Sequence, residues 1–348
     1  MPKIKNQIPT CKLFIRLSSL GDVILSTAAL EALAAGEQAD WIVGKEYASL
    51  LRNHPKIRKL WEFDRKQGIW SWLKFLRTLC QQNYTHVYDL HLNLRSRLAR
   101  LVFLVFARDV QWKSISKERI RFLGLFVFKR YWPSRCKPTL QIEKFFRISQ
   151  DRQKPIDHAK VKTNLRHLLK DAGSPQRSPL PNRYYCVMPS ANWIAKRWKP
   201  ASYCKLIQEL DAPAVIMGVA SDEESVELVR LLEENKIEHY SGIGSWNLIE
   251  SARILAGSLA YIGNDTGLAH LSEAMGKKAF ILFGPSSYGM GFGPYLKESQ
   301  AIESPLWCRP CGKDGRACFR VIHRFKCLDT LKPEFAIKRI QDAQKNKN

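Results

Sequence analysis

Acidic residues are what this sequence is short of. Asp and Glu number 32 against 56 Lys and Arg, a formal net charge of +24. The shortage lies in the first half, where residues 1–180 carry 14 acidic and 34 basic side chains, against 18 and 22 in residues 181–348. A surface kept soluble by mixed charge needs no such asymmetry. The basic half is therefore expected to face something anionic, either phosphate-rich lipid or nucleic acid. Long apolar runs are missing too. The two greasiest, residues 101–107 and 122–128, are closely flanked by Arg or Lys and fall far short of the roughly 18–20 residues of a membrane span. The opening MPKIKNQIPTCKLFIRL has charge but no sustained apolar stretch with a cleavage site, so no secretory signal is read there and a soluble, cytoplasmic protein is expected. Nine cysteines without such a signal read as thiols or metal ligands and not as a disulfide framework. Both common nucleotide fingerprints are absent: G-x-G-x-x-G in a strand–helix setting and G-x-x-x-x-G-K-[ST]. This disfavours a nicotinamide dehydrogenase and a P-loop NTPase. No recognition-helix, RNP or zinc-finger pattern is present, so a nucleic-acid partner is not expected.

What is there points to an α/β enzyme. Hydrophobic residues make up 45% and aromatics 11% of 348 residues, enough for two globular domains. Strand and helix patterns alternate. Strands are expected at 12–17, 39–44, 57–64, 85–90 and 109–114, with helices at 23–35, 70–82, 95–107 and 117–130. A polar, proline-containing stretch at 150–181, with one helix at 159–172, is the expected inter-domain region. The alternation then resumes, with strands at 184–188, 214–218, 238–241, 259–262 and 279–283 and helices at 221–235, 245–257 and 268–275. The expected domains are 1–175 and 182–330, each a doubly wound parallel sheet, followed by a helical tail at 331–348. Two facing Rossmann-like domains imply a ligand in the cleft between them.

Two loops stand out. Ser18-Ser19-Leu20-Gly21-Asp22 follows the first strand. Gly21 there allows close backbone approach or a positive φ, and Asp22 reads either as a helix N-cap or as a catalytic carboxylate at a strand's carboxyl end. Asn264-Asp265-Thr266-Gly267-Leu268-Ala269-His270 joins a buried strand to a helix of small and apolar residues. Its first N–H groups form an anion site, although Asp or Thr at that point is also an ordinary cap. His270 by itself reads as a packed helix residue.

Three segments together carry a resemblance: RLSSLGDVI (Arg16–Ile24), YDLHLNLRS (Tyr88–Ser96) and GNDTGLAHLSEAMGKKAFILFGPSS (Gly263–Ser287). In that order and separation they resemble the bacterial lipopolysaccharide heptosyltransferases of glycosyltransferase family 9, over nearly the whole chain. The resemblance implies a GT-B fold, an ADP-heptose donor, a lipopolysaccharide core acceptor, and inversion at the sugar carbon with no cofactor or catalytic metal. It implies that Asp22 is the general base and Lys196 the phosphate-binding lysine, with Ser190 contacting phosphate from the same loop. The Asp265-Thr266-Gly267 helix start would receive the diphosphate, with His270 near the phosphates or bracing that loop. Asp222 or Glu223 stands where a carboxylate can bind ribose hydroxyls, although either also suits a helix N-terminus. His91 stands where many members carry Gln. Arg95 and Lys117 are the candidates for gripping acidic groups of the acceptor.

Cys308-x-x-Cys311 with Cys318 and Cys327 recurs in one branch of that family and offers four sulfur ligands for zinc. The eight residues between the second pair exceed the usual spacing, which favours reduced thiols. The helices at 95–107 and 117–130 set Arg clusters beside surplus apolar residues, the composition of interfacial helices on an anionic inner leaflet.

Overall fold

The computed structural model describes residues 11–150, 155–170, 180–312, 318, 320 and 322–345. The chain divides into two units, Met1–Lys117 with Ile142–Thr163, and Glu118–Gln141 with Asn164–Asn348. The division is thus not the single cut expected near 150–181, because residues 118–141 go with the second unit.

The first unit runs β1 (Lys12–Ile15), α1 (Leu20–Ser26), α2 (Ala28–Glu31), β2 (Ala39–Gly44), β3 (Ile57–Phe63), α3 (Ile69–Cys80), β4 (His86–Asp89), α4 (Leu94–Phe106) and β5 (Gln111–Ser114). Next come α5 (Arg119–Phe128), in the second unit, and α6 (Gln141–Ser149), which lies in the first except for Gln141. The second unit continues with β6 (Tyr185–Met188), α7 (Pro200–Gln208), β7 (Ala214–Ile216), α8 (Glu223–Glu234), β8 (His239–Ser241) and α9 (Leu248–Gly257). It ends with β9 (Tyr261–Asn264), α10 (Gly267–Ala274), β10 (Ala279–Phe283), β11 (Gln300–Glu303), α11 (Lys326–Asp329) and α12 (Pro333–Lys345).

All strand pairings are parallel, and the residues account for this. β2 and β10 are buried at every position, as strands covered on both faces must be. In β1, Leu13 and Ile15 join a core with Trp72, Leu76 and Leu79 of α3. Phe14, on the opposite face, packs its ring 5.3 Å from Trp41 and 4.8 Å from Tyr88. Such alternation is the period-two geometry of a strand, and each large apolar side chain so buried contributes about 1.5–3 kcal/mol.

The strand orders are β3-β2-β1-β4-β5 and β11-β10-β9-β6-β7-β8. In each sheet the chain starts centrally, winds to one side, then returns to wind the other way. The reversal falls between β1 and β4, with Ile15 opposite Asp89, and between β6 and β9, with Met188 opposite Gly263. Loops leaving the carboxyl ends of such a strand pair turn apart, and open α/β sheets bind ligands there.

Two expected elements differ. The helix expected at 159–172 is absent over its described part, which holds only short 3-10 turns at His158–Lys160 and Arg166–Leu169; residues 171 and 172 lie outside the described residues. Leu165 is fully buried and its N–H donates to the Ala274 carbonyl at 3.1 Å, so docking on the end of α10 replaces the local helix. The first helix starts at Leu20, which puts Asp22 inside the opening turn and not at the cap. Gly21 is likewise helical and has no positive φ.

Gly263 lies where β9 meets β6. A Cβ there would sit 2.5 Å from Tyr261 Oη and 2.7 Å from the Met188 carbonyl oxygen. The second neighbour is backbone and cannot step aside. Gly263→Ala is expected to cost about 1–3 kcal/mol, seen as an earlier urea midpoint; an unchanged midpoint would refute this packing.

Candidate functional site

In the first unit the reversal point gathers charge. The β1–α1 loop carries a cis Ser18–Ser19 peptide, and Ser19 is the N-cap of α1 without a side-chain cap bond. Its hydroxyl instead donates to Asp22 Oδ2 at 3.1 Å. Arg16 Nη2 lies 2.5 Å from the same oxygen. The Arg16 guanidinium also donates to the Leu90 carbonyl and lies 5.7 Å from the centre of the Phe145 ring. Burial pushes the Arg16 pKa down while Asp22 opposes that shift, so the pair is mutually dependent. His91, on the loop after β4, accepts the Leu17 N–H at Nδ1, 3.0 Å away. Burial and the nearby Arg16 hold its pKa down at about 3.

The second unit repeats the theme with the roles of the charges exchanged. Asp265, between β9 and α10, receives Lys196 Nζ at 2.6 Å and the Ser286 hydroxyl at 3.0 Å on Oδ2. Thr266 is the N-cap of α10 but makes no side-chain cap bond; its hydroxyl pairs with Tyr261 Oη at 3.1 Å. Neither polar side chain of the turn therefore caps the helix. Residues 265–268 are partly exposed between buried neighbours on both sides, so the positive end of the helix dipole reaches solvent beside a lysine that is itself largely sheltered.

Beneath the turn, fully buried Asn264 ties three segments. Its Oδ1 accepts from the Trp198 N–H at 3.2 Å and from Tyr203 Oη at 3.0 Å, and its Nδ2 donates to the Pro189 carbonyl at 2.6 Å. Arg197 braces the loop that carries Lys196, donating to the Ala191 carbonyl at 2.6 Å and to Glu224 of α8 at 2.7 Å. Arg309, buried, braces the loop that carries Ser286, bonding the carbonyls of Phe283, Gly284, Ser286 and Ser304 at 2.5–3.1 Å.

The remaining expected residues fall as follows. Ser190 is buried at the carboxyl end of β6 and His270 is buried in α10. Asp222 is the N-cap residue of α8, and its Oδ2 accepts the Val219 N–H at 2.9 Å, which closes the turn after β7. Arg95, in the first turn of α4, donates to the Arg65 carbonyl at 3.0 Å. Lys117 and Arg65 both act electrostatically on His91, which places Lys117 in the Asp22 neighbourhood. Cys308, Cys311, Cys318 and Cys327 are free thiols. Burial raises the pKa of Cys311, with Cys318 and Cys308 adding to the rise, so these thiols share one neighbourhood. Among the described residues, no group of three or more His, Cys, Asp and Glu is placed to hold a metal ion.

Sequence reasoning gave no role to Arg16 or Asn264, which stood only inside quoted motifs, and missed Arg309. Ser286 was visible only as part of the F-G-P-S segment. Glu273 of α10 was also missed. It is buried, accepts the N–H groups of Tyr295 and Leu296 at 2.9 Å each, and has its pKa pushed up to about 7 by desolvation.

The family profile of glycosyltransferase family 9 (heptosyltransferase) matches residues 72–318. The chain is 26% identical over 326 residues to lipopolysaccharide heptosyltransferase 1 of Pseudomonas aeruginosa, covering 86% of each chain. Among solved structures it resembles E. coli heptosyltransferase WaaC with ADP, at a TM-score of 0.67 and 19% identity over 96% of this chain and 100% of that one. It also resembles E. coli ADP-heptose lps heptosyltransferase II, at a TM-score of 0.66 and 19% identity over 97% and 99%. These likenesses bear out the α/β, GT-B fold class.

His91 and Glu273 give stability two opposite pH slopes. The pKa of His91 is about 3 in the fold against an ordinary 6.5. Below pH 6.5 the unfolded chain takes a proton that the folded one refuses, and stability falls with pH. Glu273, at about 7 against 4.5, holds an extra proton when folded, so its contribution is lost as pH rises through 7. From pH 7 to 5 His91 is expected to cost about 2 kcal/mol. Relative to the parent protein, His91→Gln should gain that amount at pH 5 over pH 7, and Glu273→Gln should lose. Urea titrations at the two pH values decide it, and identical slopes in all three proteins would dismiss both assignments.

Proposed function

The chain belongs to glycosyltransferase family 9, and on that premise we propose that it transfers heptose from ADP-heptose to the lipopolysaccharide inner core, inverting the sugar carbon without a catalytic metal. The observation that carries the donor half is the Lys196–Asp265 ion pair beside the start of α10, which no side chain caps. A departing diphosphate develops charge that fixed N–H groups and a lysine neutralise without reorganising. Lys196, Ser190 and the N–H groups of Thr266 and Gly267 fill that role. Asp265 aims the lysine, and His270 braces the helix that supplies the turn. Asp222 is the carboxylate for the ribose hydroxyls. WaaC, a relative by fold, was solved with ADP and with ADP-2-deoxy-2-fluoro heptose, which supports the donor chosen.

The acceptor hydroxyl must lose a proton as its oxygen attacks the sugar carbon and the carbon–oxygen bond to diphosphate breaks. Asp22 takes that proton, held by Arg16 and Ser19, with Ser18 and Ser19 forming the loop and Gly21 beside Asp22 in the first turn of α1. Arg95 and Lys117 supply positive charge for an acceptor bearing acidic sugars and phosphates. Asp22→Asn is expected to abolish transfer with ADP affinity kept, whereas Lys196→Ala should weaken ADP binding by about 10- to 100-fold. Calorimetry with ADP and a radiolabelled transfer assay read the two effects. Substantial turnover by Asp22→Asn would reject it as the base, and thermal shifts with GDP- or UDP-sugars but none with ADP-heptose would reject the donor.

The enzyme is further proposed to work as a peripheral protein on an anionic leaflet. No helix among the described residues is long and apolar enough to cross a membrane. α4 exposes Leu101, Leu104 and Val105 beside Arg97 and Arg100, and α5 exposes Ile120, Leu123 and Val127 beside Arg119 and Arg121. Neither helix contains an acidic residue. Sedimentation with phosphatidylglycerol vesicles should succeed at low salt and fail at about 1 M salt, where screening is strong. Equal binding to phosphatidylcholine vesicles would refute the electrostatic part.

A further inference from the structure

One imidazole joins the two loops that leave β1 and β4. Asp89 Oδ1, at the end of β4, accepts the N–H groups of His91 and Leu92 at 2.9 and 2.8 Å, which fixes the backbone from which the His91 side chain projects. His91 Nδ1 in turn accepts the Leu17 N–H at 3.0 Å. Leu17 immediately precedes the Ser18–Ser19 peptide and lies three residues before the start of the helix that carries Asp22. Arg16 closes the circuit, reaching from the Leu90 carbonyl, next to His91, to the Asp22 carboxylate.

We propose that His91 is a positioning residue for Asp22, its Nδ1 lone pair clamping the β1–α1 loop so that the carboxylate stays in register with Arg16. The proposal rests on Asp22 being the base. Accepting at Nδ1 commits the ring to the neutral Nε2–H tautomer. A second proton would turn the acceptor nitrogen into a donor facing another donor, and the clamp would open. The charged groups around the ring are Arg16, Arg65 and Lys117 against the carboxylates of Asp22 and Asp89, the latter bonded to the His91 backbone N–H. That surrounding charge and the ring's burial keep it neutral near neutral pH. The clamp is therefore closed across the pH range around neutrality and opens only in strong acid.

The test separates a lone pair from mere bulk. Gln offers an uncharged oxygen acceptor of similar reach, and Phe fills the space without one. His91→Phe is expected to lower kcat for transfer by about 10- to 100-fold, while ADP affinity and the KM for donor stay within about threefold of the parent values. His91→Gln should restore most of the loss, and the acid limb of the parent kcat profile should show no group with the ordinary histidine pKa near 6.5. Should His91→Phe fail to fold, His91→Gly with added imidazole replaces it: recovery of kcat supports the clamp and no recovery overturns it. Full activity in His91→Phe, or a His91→Gln variant no better than Phe, overturns the proposal while an inactive Asp22→Asn leaves the base reading standing. An active Asp22→Asn would instead remove the base reading, and the proposal with it.

Discussion

A buried carboxamide must find partners for both its ends, because each buried polar group left unmatched costs about 1–3 kcal/mol. Asn264 meets that demand by bonding the backbone after β6, the backbone before α7 and a tyrosine within α7. This one side chain therefore sets the spacing between the loop that carries Lys196 and the turn that carries Asp265. The parallel sheet supplies the opening by reversing its winding between β6 and β9. The amide decides how the two edges of that opening are held.

The same arrangement recurs at the reversal between β1 and β4, where a cation and a carboxylate again meet beside the start of a helix. In the first unit the arginine is buried and the carboxylate is the more accessible partner. In the second, cation and carboxylate are about equally sheltered, and the lysine is the group proposed to act on the ligand. In the proposed chemistry this difference separates a proton acceptor from a charge stabiliser. Environment, and not residue type, makes the distinction.

Much of this could be read from residue order. The strands with unbroken apolar runs, the Gly-punctuated loops and the alternation of periods were visible because burial on both faces leaves a local mark. Asp22, Lys196 and the turn at 265–267 were legible as candidates because they follow strands, or through the family resemblance. Asn264 was quoted as part of a motif, but its three partners lie 61 to 75 residues away in the chain, and no local pattern records them. Arg309 drew no reading from the sequence; that it donates to four carbonyls is a fact of tertiary structure alone. The helix expected at 159–172 failed for a related reason. Its leucines carry helical spacing, but the end of α10 offers the Leu165 N–H a carbonyl, and tertiary contact overrides weak propensity.

The lysine of the second-unit site is already engaged. With Asp265 at 2.6 Å and both side chains largely sheltered from water, an arriving anion has to displace an internal rival before it gains the ammonium group. A singly charged ion such as chloride offers little advantage over a carboxylate that is tethered in place. A diphosphate brings more charge and several oxygens, and can take up the nearby helix N–H groups in the same motion. In the proposed chemistry the ion pair thus acts as a threshold, set against singly charged buffer anions and in favour of a polyvalent ligand.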